Sequence, residues 1–177
     1  AVLGSVIAQP PPLTAGFGYC KPDFQFEDEG RAKAAAVLPW ALTPDDLYPD
    51  AIPTLARLRQ QGYRLAVMAN QPLEAVPLLA SLPVDMYATS AEWGVSKPDP
   101  AFFARVAAEV GAEPGSIAYV GDRVDNDVLP AKAAGMLAVH LRRGPWGVLH
   151  SEWPEAEQAD LRVDSLDELV TVLGRRF

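Results

Sequence analysis

Three aspartates and an asparagine crowd into "GDRVDND", residues 121–127. Like charges this close repel and shift one another's protonation. Asp122, Asp125 and Asp127 therefore either surround a cation or cap a helix. An apolar run, "SIAYVG", precedes them and an alanine-rich helical pattern, "VLPAKAAG", follows. Two other groups of suitable chemistry stand upstream. One is the amide pair Asn70 and Gln71 in "ANQ"; the other is Lys97 in "GVSKPDP". Carboxylates and a lysine at one place suit a phosphate held together with Mg²⁺. The hard cation takes oxygen ligands, and the ammonium answers the anion as a point charge. Taken singly, each has a plainer use. Asp127 or Asn126 would cap a helix, Lys97 would be a solvated charge, and "KPDP" would be a turn opening a helix. Their order along the chain is what sets the chemical reading above the plain one.

That order follows the elements. "AIPTLARLRQQG" places Ile52, Leu55 and Leu58 on one helical face and stops at Gly62. "YRLAVMAN" reads as a strand, "LEAVPLLASL" as a short helix interrupted by Pro77, and "VDMYATS" as a strand. "DPAFFARVAAEVG" is a helix with Asp99 as cap, Pro100 in the first turn and Gly111 at its end. "LAVHLRRG" is a further strand. "RVDSLDELVTVL" is a short strand and a helix, with Ser165 and Glu168 spaced as a capping box. Strands alternating with amphipathic helices predict an α/β fold, a parallel sheet with right-handed crossovers and helices on both faces. In such sheets ligands sit at the carboxyl ends of the strands. Asn70 and Gln71, residues 90–97 and residues 122–127 all fall there.

Residues 1–8, "AVLGSVIA", are the candidate for a buried first strand. Residues 9–47 are rich in turn signals such as "QPPPL", "TAGFG" and "TPDD", broken by one helical patch, "EDEGRAKAAAVLPWAL". This segment reads as a short irregular insert or a reduced cap, and 48–177 as the core. The chain has 177 residues, a formal net charge of −8 and a sequence pI of about 4.7. An acidic surface argues against nucleic acid and anionic membranes as partners, yet leaves room for a small anionic substrate beside a lysine or metal. No apolar run approaches the roughly 20 residues of a membrane span. A single cysteine, Cys20, excludes an intrachain disulfide framework and fits a reducing cytoplasm.

The stretch from about residue 48 onward resembles the core of the haloacid dehalogenase (HAD) superfamily, in its phosphatase-like subgroup. "LYPDAIPTLARLRQQGYRLAVMAN" is similar to the family's second motif with its preceding helix, "VSKPDPAFF" to the third, and "YVGDRVDNDVLPAKAAGM" to the fourth. The resemblance implies a Rossmann-like sheet of order 3-2-1-4-5 and Mg²⁺-dependent hydrolysis of a small phosphorylated metabolite through an aspartyl-phosphate. It implies Asp122 as a Mg²⁺ ligand, with Asp127 supporting the metal directly or through water and Asp125 as the alternative. Lys97 would steady the nucleophile and the transferring phosphoryl group, and Asn70 and Gln71 would contact the phosphate.

Two departures stand out. The family's D-x-D motif, whose first aspartate attacks phosphorus and whose second serves as acid and base, is absent. Asp45, Asp46 and Asp50 lead into a helix rather than leave a strand. If "AVLGSVIA" is strand one, the nucleophile position falls near Ser5, a degenerate residue for this chemistry. The alternative is a first strand upstream of residue 1, with 1–47 the remains of a cap. The second departure is Ala69, where the family usually places Ser or Thr. Three activities remain in view: a phosphomonoester hydrolase, a catalytically degenerate domain that binds a phosphorylated ligand or protein partner, and a 2-haloacid dehalogenase. The last needs no Mg²⁺, which would leave the acidic loop surplus.

Overall fold

The computed structural model describes residues 2–3 and 43–174. The helical patch within 9–47 and Ser5 lie outside the described residues. Six parallel strands form one sheet, in the spatial order β3-β2-β1-β4-β5-β6. They are β1 (Val2–Leu3), β2 (Ala66–Ala69), β3 (Met86–Thr89), β4 (Ala118–Gly121), β5 (Leu137–Leu141) and β6 (Leu161–Val163). The short β1 lies at the centre: Leu3 is level with Val67 on one side and Val120 on the other.

Side-chain alternation divides the core into two layers. Val67, Val120, Val139 and Leu141 point to one face, where they meet helices α1 (Ala51–Gln60), α2 (Val76–Ser81) and, at the chain's end, α7 (Leu166–Leu173). Ala66, Met68, Tyr119 and Ala138 point to the other. There they meet α4 (Pro100–Val110) and α5 (Leu129–Ala133). Both faces are dry, which explains why the strands read as continuous apolar runs rather than alternating ones. Phe102, Phe103 and Tyr119 stack in sequence, with ring centroids 5.6 and 5.1 Å apart. That places α4 firmly over β4, the strand that delivers the acidic loop.

Local signals mostly act as their chemistry demands. Asp99 caps α4 by accepting from the Ala101 amide at 2.8 Å, and Gly111 ends it in the left-handed region at φ 64°. Some expectations change in detail. Ile52 is 42% exposed, and α1 buries Ala51, Thr54, Leu55 and Leu58 instead. At about 100° per residue, Ile52 lies off that arc. Pro77 begins α2 rather than interrupting it, in the first turn where its missing N–H costs nothing. The capping box of α7 is half formed. The Ser165 hydroxyl accepts from the Glu168 amide at 3.1 Å, but the Glu168 carboxylate accepts from the Asp164 amide at 2.8 Å.

The stretch "RRGPWG", residues 142–147, carries the glycines and proline of a turn. It forms helix α6 (Gly144–His150). Its two arginines are engaged by carboxylates of the chain itself: Arg142 pairs with Asp164 at 2.8 Å and Arg143 with Asp50 at 2.6 Å. Asp50 also accepts from the Leu166 amide at 3.1 Å, so it ties the starts of α1 and α7 to the end of β5. A remaining short helix, α3 (Ser90–Trp93), leaves β3 with Thr89 as its cap and Glu92 completing the capping box.

Candidate active site at the carboxyl edge of the sheet

Three loops converge where β2, β3 and β4 end. Asn70 follows β2 and spends its side chain on the main chain of Lys97. Its Nδ2 donates to the Lys97 carbonyl and its Oδ1 accepts from the Lys97 amide, both at 2.9 Å. The amide expected to contact a phosphate thus fixes the lysine loop. Gln71 is buried, and its carbonyl accepts from the Ala91 amide at 3.3 Å. Together with Ser90 and Ser96 these two residues line an open cavity of about 430 Å³ beside the lysine.

Lys97 and Asp127 form the centre. Nζ lies 2.6 Å from Asp127 Oδ1, and both side chains are almost wholly removed from solvent, at 3% and 2% exposure. Burial by itself would lower the Lys97 pKa, but the Asp127 carboxylate outweighs it, with Asp122 adding to the same field; the ammonium is held charged above its ordinary range. Beneath it lies the Tyr119 ring, its centroid 5.8 Å from Nζ. Burial pushes the Tyr119 hydroxyl upward, so it stays neutral.

The acidic loop is shaped by its own backbone. Gly121 ends β4, and a Cβ there would stand 2.3 Å from Asp127 Cβ. Only glycine lets the Asp127 side chain lie across the strand end. Residues Val124–Val128 then make a π-helical turn, with the Val128 amide reaching back to the Arg123 carbonyl at 3.2 Å. Such turns often mark functional sites because they re-aim side chains. Asp127 Oδ2 accepts from the Arg123 amide at 3.1 Å, which fixes the carboxylate at both oxygens. Asp125, the alternative ligand, turns away. Arg123 grips it through two nitrogens at 3.1 and 2.6 Å. Burial would raise the Asp125 pKa, but Arg123 overrides this and holds it below the usual carboxylate range.

Two residues that no motif or spacing singles out lie behind this loop. They are the chain's two histidines. His140 Nε2 lies 3.3 Å from the Asp122 carbonyl. His150 Nδ1 accepts from the Val124 amide at 3.1 Å. Burial lowers the pKa of both imidazoles, so both are neutral at pH 7. Neither stands at a telling spacing from "GDRVDND"; the pairing of β4 with β5 and the return of α6 bring them there.

The arrangement offers an enclosed ammonium, two carboxylates five residues apart on one loop, and an open cavity alongside. Among the described residues, no three His, Cys, Asp or Glu side chains gather as a preformed metal cage. Asp122 and Asp127 nonetheless suit Mg²⁺. That ion keeps several waters and is usually bound by one or two carboxylates plus substrate phosphate.

Comparison with known proteins points to one family. A family model described as haloacid dehalogenase-like hydrolase matches residues 19–135. A glyceraldehyde 3-phosphate phosphatase from Methanopyrus kandleri is 35% identical over 131 residues, which is 71% of this chain and 56% of that protein. The chain thus spans little more than half the length of such relatives. A HAD phosphatase from Thermococcus onnurineus superposes with a TM-score of 0.61 at 34% identity, covering 73% of this chain and 59% of the other. A 2-haloacid dehalogenase from Pseudomonas syringae superposes with a TM-score of 0.63 at 26% identity, covering 74% and 54%. With a family model matched over more than half its length, the chain belongs to the haloacid dehalogenase-like hydrolases.

Proposed function

We propose that this chain is the core of a Mg²⁺-dependent phosphatase acting on a small phosphorylated metabolite. The observation that carries the reading is the buried Lys97–Asp127 pair, set beside Asp122 at the carboxyl edge of the sheet. A buried ion pair is seldom a gain in stability over apolar packing. A lysine kept charged in a dry site is well suited to stabilise the negative charge of a phosphoryl group. Asp122 and Asp127 would hold Mg²⁺, which when bound neutralises phosphoryl oxygen charge. Lys97 adds a fixed positive charge on the same group, Asn70 keeps the Lys97 main chain in place, and Arg123 keeps Asp125 out of the site. The cavity lined by Gln71, Ser90 and Ser96 would receive the part of the substrate that leaves with the ester oxygen. The phosphatase names among the relatives favour phosphomonoesters over haloacids, as does an acidic loop that dehalogenation would not use.

In this reading residues 48–177 form the core, 1–8 its first strand and 9–47 a reduced cap, with the protein cytoplasmic. The family's transferring aspartate has no counterpart after Val2–Leu3, where the chain continues "GSVIA" with Ser5 at the expected place. That fact favours a second reading: a domain that binds a phosphorylated ligand without turning it over. One assay separates them. Phosphate release from glyceraldehyde 3-phosphate, phosphoglycolate and phosphoserine is measured with and without Mg²⁺, alongside ligand binding by calorimetry. Turnover that requires Mg²⁺ and falls at least about 100-fold in Asp122→Ala supports the first reading, since loss of a charge-stabilising group in a dry site costs on that order. Binding of a phosphorylated compound without release supports the second, and neither binding nor release defeats both.

A further inference from the structure

We propose that His150 is a positioning residue for the acidic loop: as a neutral imidazole it holds the Val124 amide, and through it the placement of Asp122 and Asp127. The inference rests on the reading of that loop as the Mg²⁺ site. A main-chain N–H only donates, so the 3.1 Å contact from the Val124 amide assigns His150 Nδ1 as the acceptor and puts the ring proton on Nε2. Val124 stands midway between the two carboxylates, at the first residue of the π-helical turn. Asp125 Oδ1 is 3.6 Å from the same nitrogen, too far for a hydrogen bond, so among the described residues the Val124 amide is the hydrogen-bond partner of Nδ1.

The imidazole itself is rigidly set. Trp153 stacks on it at 3.8 Å with an interplanar angle of 20°, and Trp146 meets it edge-on at 5.3 Å. Trp146 also lies under the Arg123 guanidinium at 4.9 Å, so α6 touches the loop at two successive residues, Arg123 and Val124. The helix reaches this far because it lies hard against the end of β5. A Cβ on Gly147 would fall 2.5 Å from the Leu141 carbonyl oxygen. A histidine buried to 1% exposure between two tryptophans, with its one free lone pair on a loop amide, orients that loop as an outer-shell partner orients a metal ligand.

The test uses the full chain and two variants. His150→Phe keeps the ring packing and removes the acceptor; His150→Asn loses the ring and offers an oxygen near the place of Nδ1. In the ¹⁵N-labelled wild type, a through-hydrogen-bond coupling between the Val124 nitrogen and His150 Nδ1 is expected. Amides of residues 125–128 should exchange with solvent faster in His150→Phe, and Mn²⁺ affinity, read by its electron paramagnetic signal, should weaken about tenfold. His150→Asn should recover most of both. A protonated Nδ1 in the wild type would overturn the proposal. So would a His150→Phe variant that binds Mn²⁺ like wild type, or a His150→Asn variant that fares no better than it. If the wild-type chain shows the coupling but binds no Mn²⁺, the metal reading fails, and with it any positioning role for His150 beyond packing. That result is distinct from a wild type that binds and a His150→Phe variant that is unaffected.

Discussion

Lys97 and Asp127 depend on each other. With both side chains dry, removing the carboxylate takes away the counter-charge 2.6 Å from a buried ammonium. Asp127→Ala should therefore lose about 3–5 kcal/mol of folding stability. The double substitution Lys97→Met with Asp127→Leu should lose much less, because it removes both charges and keeps the volume. Urea denaturation of the three proteins checks this, and equal losses in the single and double variants would show that packing rather than charge is at stake. The arrangement was partly readable beforehand. The residue types in "GDRVDND" and "VSKPDP" announced a concentration of charge. That Asn70 would hold the lysine's main chain, and Arg123 take Asp125 out of the cluster, depended on loops separated by many residues along the chain.

Elements place these side chains with small tolerances. Gly121 at the end of β4 and Gly147 within α6 are both sites where a Cβ meets another atom too closely, at 2.3 Å and 2.5 Å. At Gly147 the opposing atom is a backbone oxygen, which cannot swing aside. Gly147→Ala should therefore push α6 off the end of β5 at a cost of about 1–3 kcal/mol. The displacement should show as a change in tryptophan fluorescence, since Trp146 and Trp153 flank His150. Unchanged emission with unchanged stability would mean the helix rides outward without loosening its contacts. Helix α6 was hidden in the sequence for a physical reason. Its opening "GPWG" carries two glycines and a proline, which read locally as a turn. Tertiary contact with β5 turns those same residues into an asset, because the close approach requires a missing side chain.

Across the molecule, the charge balance sets a pH dependence. His140 and His150 both have folded pKa values below their ordinary value, chiefly through burial. The unfolded chain therefore binds more protons than the native one once pH falls toward 6.5. The stability they confer is complete above about pH 6.5 and is lost as pH falls through the folded values. Denaturation midpoints should drop between pH 7.5 and pH 5.5, and His150→Phe should reduce that slope because one of the two groups is gone. A slope that is the same in wild type and variant would assign the dependence to His140 or to the carboxylates. Asp125, whose folded pKa is lowered from 3.8, adds stability that is fully present above that value and is lost only as pH falls below it, so it is constant across this window.

Short windows of the chain suffice to specify the parallel α/β architecture, helices on both faces of the sheet and the strand ends where the lysine and acidic loops emerge. These follow from local periodicity, glycine and proline stops and side-chain alternation, all written within short windows of chain. The same windows also specify the kinds of group at those strand ends: lysine, carboxylates and amides. Which carboxylate faces the lysine, and that Asn70 serves the lysine loop, are set by the folded chain. So are the pairing of Arg143 with Asp50 and the two histidines behind the acidic loop. Those pairings join residues as far apart as Asp50 and Arg143, or Val124 and His150. A pairing across such a distance has no signature in spacing or period; it exists only once the sheet has brought the strand ends together.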